Sequence, residues 1–268
     1  MQTCTRLSFD NPAAEFYADV LTRLTAAELP FLIGGAFAFT RYTSIHRDTK
    51  DLDLFLRAEH LEPALQLMSA AGYRTELPFP HWLGKIHAGG YFVDLIFSSG
   101  NGVARVDDAW FERAVVDEVL GVPVGLCPPE EMIWSKAFIQ ERERFDGADV
   151  LHLFRSVGDS LDWRHLLDRF GEHWPVLFGH VVMYRYAYPD SWFRIPDGVV
   201  QELSARFAAA NPGDAPSGVC RATLLSREQY LWDLEHLGYE DARVQPYGAM
   251  TPEQIDIWTK AIGEPDQH

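Results

Sequence analysis

Residues 51–56 read Asp-Leu-Asp-Leu-Phe-Leu, acids alternating with apolar residues. Successive side chains of a β-strand point to opposite faces. A strand here therefore sets Asp51 and Asp53 on one face and Leu52, Leu54 and Leu56 on the other. Two carboxylates side by side repel, and each raises the pKa of the other unless a cation lies between them. A hard divalent ion such as Mg2+ suits oxygen ligands and relieves that repulsion. The approach to this strand is equally distinctive. An apolar strand, Phe31 to Ile33, ends in Gly34-Gly35, a short amphipathic segment runs from Ala36 to Tyr42, and a polar, basic loop carries His46, Arg47, Thr49 and Lys50.

A third acid stands in Tyr91-Phe92-Val93-Asp94-Leu95-Ile96-Phe97. A lone Asp in an apolar strand is costly unless it is paired or bound to a metal. Each piece also has a plainer reading. The glycine pair suits a strand-to-helix turn, Asp51 and Asp53 suit a solvated strand face, and Asp94 suits a buried acid paired with an arginine.

Taken together and in order, GG, T-K-D-L-D-L-F and hydrophobic-Asp-hydrophobic resemble the core motif of the DNA polymerase β-like nucleotidyltransferases. The nearer likeness is to the small bacterial branch that includes abortive-infection-type toxins and antibiotic nucleotidyltransferases, and it covers residues 30–155. The segment EEMIWSKAFIQERERFDGADVLHLF is similar to the family pattern E-L-x-x-x-K, then basic residues, then D-x-x-D. The resemblance implies an α+β fold: a mixed-sheet nucleotidyltransferase core with helices on one side, residues 1–127, followed by a mainly helical domain, residues 128–268. It also implies a site. Asp51, Asp53 and Asp94 would hold Mg2+ or Mn2+ and act in catalysis with Lys136. Gly34, Gly35, Arg47, Thr49, Lys50, Lys136 and Asp149 would meet the nucleotide. The plainer reading of Lys136 is a surface lysine whose stem lies along apolar neighbours, and that of Asp146 is a helix cap, which is the reading favoured for Asp146. Lys85 and His87 sit on the strand beside Asp94 and are able to face the same cleft.

The rest of the chain fits this division. A helix is expected from Asn11 to about Glu28, another from Glu62 to Ala71, and strands from Tyr73 to Leu77, Trp82 to His87 and Tyr91 to Phe97, the last two joined by Ala88-Gly89-Gly90. Asp107 to Ala114 reads as a short helix, and Val115 to Val124 as an edge hairpin turning at Leu120-Gly121. Cys127-Pro128-Pro129-Glu130 marks the boundary, because prolines cannot continue a strand but can open a helix. Beyond it, helices are expected at 130–142, 146–155, 162–170, 174–188, 199–209, 227–237 and 252–262.

Composition limits the partners. The net charge of −16 argues against an extended nucleic-acid surface, which needs clustered Lys and Arg. Cys4, Cys127 and Cys220 form no CxxC pair, which argues against a zinc knuckle or a disulfide framework and favours a reduced, cytoplasmic setting. No signal-peptide core or membrane-length apolar run is seen. The expected function is metal-dependent transfer of a nucleoside monophosphate from an NTP, ATP among them, to a hydroxyl-bearing small molecule or protein. The alternatives are a toxin-like enzyme acting on tRNA and a non-catalytic nucleotide-binding protein of the same fold.

Overall fold

The structure, a computed structural model, describes residues 11–261 apart from residues 48, 50, 212, 214 and 215. It divides between Pro128 and Pro129 into two units.

The first unit runs α1 (Asn11–Ala26), β1 (Leu32–Ile33), α2 (Gly35–Thr43), β2 (Asp51–Phe55), α3 (Ala58–Ala70), β3 (Arg74–Phe79), β4 (Leu83–Ala88), β5 (Tyr91–Ile96), α4 (Asp108–Glu112), β6 (Val115–Val119) and β7 (Val122–Leu126). Its strands form one mixed sheet in the order β3-β4-β5-β2-β1-β7-β6. β2 runs parallel to β5 and antiparallel to β1, and β1 runs parallel to β7. The acid–leucine alternation of β2 becomes the two faces of this sheet. Leu52 and Leu54 are fully buried, whereas Asp51 and Asp53 are half-buried.

The register identifies what covers the leucine face. Leu54 pairs with Leu95, and Leu95 with Gly84. A Cβ on Gly84 would lie 2.9 Å from Leu61 Cδ1 of α3, so α3 packs on the leucine face, opposite the acids. α3 begins a turn earlier than the sequence pattern indicates. The extra turn brings Leu61 into line with Ala64, Leu65 and Met68, all buried, and burial of that additional side chain favours the longer helix. On the acid face, the far end of β2 is closed by Phe55, whose ring stacks on Trp110 of α4 at 5.2 Å.

The second unit is mainly helical: α5 (Pro129–Ala137), α6 (Gly147–Val157), α7 (Trp163–Phe170), α8 (Trp174–Ala187), α9 (Asp197–Ala209), α10 (Leu231–Leu237) and α11 (Pro252–Lys260), with a two-stranded pair of β8 (Val219–Cys220) and β9 (Glu240–Asp241). Two helices are shorter than the sequence indicates, for one shared reason. α5 stops at Ala137 rather than at Arg142 because the following backbone is paired elsewhere. Gln140 bridges Phe145, and the Gln140 N–H donates to the Leu225 carbonyl. The Glu141 carboxylate accepts from the Ser226 hydroxyl and the Arg227 N–H. The same bonds hold Arg227 out of α10, which starts only at Leu231. Among the described residues no helix is long and apolar enough to cross a membrane.

The buried leucines of β2 carry the sheet that presents the acids. Leu54→Ala is expected to lower unfolding free energy by about 2–5 kcal/mol, the usual cost of emptying a core leucine site, measured by urea denaturation. A loss below ~1 kcal/mol would show that the leucine face of β2 does not anchor the sheet.

Candidate functional site

β2 and β5 lie side by side with Asp53 opposite Asp94 and Asp51 opposite Phe92. Laterally paired residues share a face of a sheet, so the register itself brings the three acids together. Their carboxylate oxygens lie within 4.8 Å of one another, with Asp51 and Asp53 half-buried and Asp94 buried. This spacing suits a hard divalent cation bridged by oxygen ligands.

The glycine pair completes the wall. β1 feeds directly into α2, and the Gly34 N–H donates to the Asp53 carbonyl at 3.0 Å. A Cβ on Gly35 would lie 1.6 Å from Asp53 Oδ2, and Gly35 has φ +51°, a conformation that glycine adopts without penalty. A Cβ on Gly34 would strike the Phe55 ring at 2.3 Å. Both positions are therefore bare because β2 side chains occupy the space, and the Asp53 carboxylate sits against the first turn of α2. The adjoining loop also touches the acids, since the Thr49 hydroxyl donates to Asp51 Oδ1. Arg47 is exposed, with its guanidinium 4.3 Å from the centre of the Phe39 ring. Lys50 lies outside the described residues.

The partner of Asp94 is a lysine rather than an arginine. Lys85 of β4 pairs across the sheet with Asp94, and its ammonium donates to Asp94 Oδ1 at 2.8 Å. Both side chains are buried. The sequence signal for this residue was a cation inside the strand Leu-Gly-Lys-Ile-His-Ala. His87, two residues along the same face, meets Glu76 at 2.9 Å. Burial pushes the Asp94 carboxyl up, Lys85 pulls it back, and Asp51 and Glu76 push it up again, leaving it at about 6. Tyr17 of α1 is fully buried, and its phenol is raised first by burial and then by the charge on Asp51. No motif in the sequence marked Tyr17.

Lys136 and Asp149 belong to the second unit and join a cluster of their own. The Lys136 ammonium is 2.8 Å from Asp146 Oδ2 and 2.9 Å from Asp149 Oδ2. Arg144 grips Asp146 through two nitrogens, each at 2.9 Å. Asp146 stands at the N-cap of α6 but makes no side-chain capping bond, so the helix-cap reading is replaced by an ion pair. Burial alone would raise the Asp146 carboxyl, yet Lys136 and Arg144 more than offset this and hold it well below the usual carboxylate range. Truncating Lys136 would take its charge from two buried carboxylates, Asp146 and Asp149, so its removal carries a folding cost as well as any effect on ligands.

Two expectations follow. Gly35→Ala inserts a methyl group where Asp53 lies, at a φ that alanine tolerates poorly. It should cost at least about 1 kcal/mol of stability and displace the Asp53 carboxylate, read as loss of Mn2+-dependent stabilisation in thermal melts. Retention of that stabilisation would mean that Asp53 does not depend on the bare position. The second concerns pH. Asp94 holds its proton to higher pH in the folded chain than in the unfolded one, so its contribution is full below the ordinary aspartate value of 3.8 and is lost as pH rises through about 6. The metal-free stability of wild type relative to Asp94→Asn should fall across that window, by at most ~1.4 kcal/mol per pH unit. A flat difference would contradict the raised carboxyl.

No family model and no curated protein matches the chain. The chain is similar in part to several solved structures. The antibiotic-resistance factor ANT(2'')-Ia in solution overlaps 64% of this chain and 98% of its own, at 17% identity and a TM-score of 0.44. The lincomycin-bound lincosamide antibiotic adenylyltransferase LnuA overlaps 54% of this chain and 96% of its own, at 12% identity and a TM-score of 0.38. A tRNA-processing enzyme in an apo form overlaps 76% of this chain and 58% of its own, at 13% identity and a TM-score of 0.33.

Proposed function

We propose that this protein is a metal-dependent nucleotidyltransferase, moving a nucleoside monophosphate from an NTP to a hydroxyl on a small molecule or protein. The observation that carries the reading is the convergence of Asp51, Asp53 and Asp94, within 4.8 Å of one another on one sheet face, against a glycine turn that leaves room for them. The donor set is all oxygen, which fits Mg2+ or Mn2+. Such ions, when bound, offset the charge of the triphosphate and of the departing pyrophosphate and make the acceptor hydroxyl easier to deprotonate.

The chain's own residues have distinct tasks in this reading. Asp51 and Asp53 hold cations, and Thr49 orients Asp51 through its hydroxyl. Asp94 is proposed as the carboxylate nearest the acceptor hydroxyl and as the base that takes its proton. Gly34 and Gly35, at the start of α2, are proposed to meet the phosphates. Arg47 and Lys50, in the loop before β2, are proposed to counter phosphate charge. The formal charge of −16 favours a small-molecule or protein acceptor over a long nucleic acid.

Asp51→Asn and Asp53→Asn each remove a charge and keep the shape. Both should abolish transfer while leaving the metal-free protein as stable as wild type or slightly more so, because a repulsion is relieved. Wild type should gain melting temperature with Mn2+ and NTP by mass action, and the variants should not. Incubation with each labelled NTP, Mn2+ and a cell extract should label a discrete acceptor. Absence of metal-dependent stabilisation in wild type, or its full retention in both variants, would falsify the reading.

A further inference from the structure

Lys85 is 3% exposed, and lysine is almost never this buried unless it is paired. Its ammonium lies 2.8 Å from Asp94 Oδ1 and 4.1 Å from the centre of the Phe92 ring. The next acid along the same sheet row, Glu76, faces Lys85 across the β3–β4 ladder but meets His87 at 2.9 Å and Arg74 at 3.4 Å. The lysine is therefore committed to the site carboxylate. A carboxylate has two oxygens and about four lone-pair sites, so this bond orients Asp94 without using up its capacity to bind a cation. Three carboxylates and one ammonium leave a formal charge of minus two, which one divalent ion cancels.

We propose that Lys85 is a resident counter-cation of the three-carboxylate site, holding Asp94 in place and matching the charge of the site to divalent rather than trivalent ions. This rests on the reading of Asp51, Asp53 and Asp94 as a cation site. The physics is direct. The repulsion between the Lys85 ammonium and a bound cation scales with the charge of that cation. Removing the ammonium therefore helps a trivalent ion more than a divalent one. Competition from protons acts on the site rather than on either ion and cancels in the ratio of their affinities, whereas any loss of Asp94 orientation costs the trivalent ion more and so works against the expected rise. A lysine that served only as a packing partner would leave that ratio unchanged.

The test is calorimetric titration of the full chain with Mn2+ and, separately, with Tb3+. It compares wild type with Lys85→Met, with Lys85→Gln, which keeps a hydrogen-bond donor without charge, and with Lys85→Arg, which keeps the charge. Relative to wild type, the preference for Tb3+ over Mn2+ should rise by about tenfold or more in the Met and Gln variants and stay within about twofold in the Arg variant. Should the Met variant fail to fold, the Gln variant decides the question alone. An unchanged preference in the uncharged variants, with Mn2+ still binding to wild type, overturns the role of Lys85 while leaving the cation site standing. If wild type binds neither ion, the cation-site reading falls and this inference with it.

Discussion

Like charges held together on a sheet face are the constraint on which the first unit turns. Asp53 and Asp94 are lateral neighbours across β2 and β5, and Asp51 stands one pleat away. In water such a trio would spread apart. Here Asp53 and Asp94 are held by backbone bonded on both sides and Asp51 by the β2–β5 ladder, so the repulsion must be met by something else. Part of the answer is built in, because Lys85 reaches Asp94 from the opposite side through the β4–β5 ladder. The remainder is uncompensated negative charge, of a kind that oxygen-seeking divalent cations suit.

The leucine side of β2 makes this possible. Leu52 and Leu54 are fully buried, and α3 covers the row that runs from Leu54 to Gly84. Burial of roughly a leucine's surface contributes about 2 kcal/mol, and several such contributions hold the acids in a geometry that their own charges disfavour. Gly34 and Gly35 belong to the same arrangement. They are bare where Phe55 and the Asp53 carboxylate already fill the space.

The second unit handles charge differently. Lys136, Arg144, Asp146 and Asp149 balance formally, two cations against two anions, within ion-pair distance. Glu131 is also fully buried and is met by His165 at 2.7 Å and Arg169 at 2.9 Å. Buried pairs of this kind resist the loss of either member far more than they add to net stability. Here they link α5 to α6 and α7.

Local pattern was readable wherever its period was local. Acid–leucine alternation stated which side chains of residues 51–55 share a face, because every strand has a period of two. Gly34-Gly35 marked the passage from strand to helix, and Gly89-Gly90 the β4–β5 turn. The helical half followed from repeating apolar positions, and its individual ends were least legible. α5 stops short and α10 starts late because Gln140 and Glu141 bond to residues 225–227, partners far away in the chain. The same limit applied to the site. The sequence by itself determined that Asp51 and Asp53 point together and that Asp94 sits in an apolar strand that must compensate it. Only the tertiary structure decided that β5 lies parallel to β2 with Asp94 opposite Asp53, and that the compensating cation is Lys85. Register between strands is set by hydrogen bonds and packing between segments distant in sequence, and no local period encodes it.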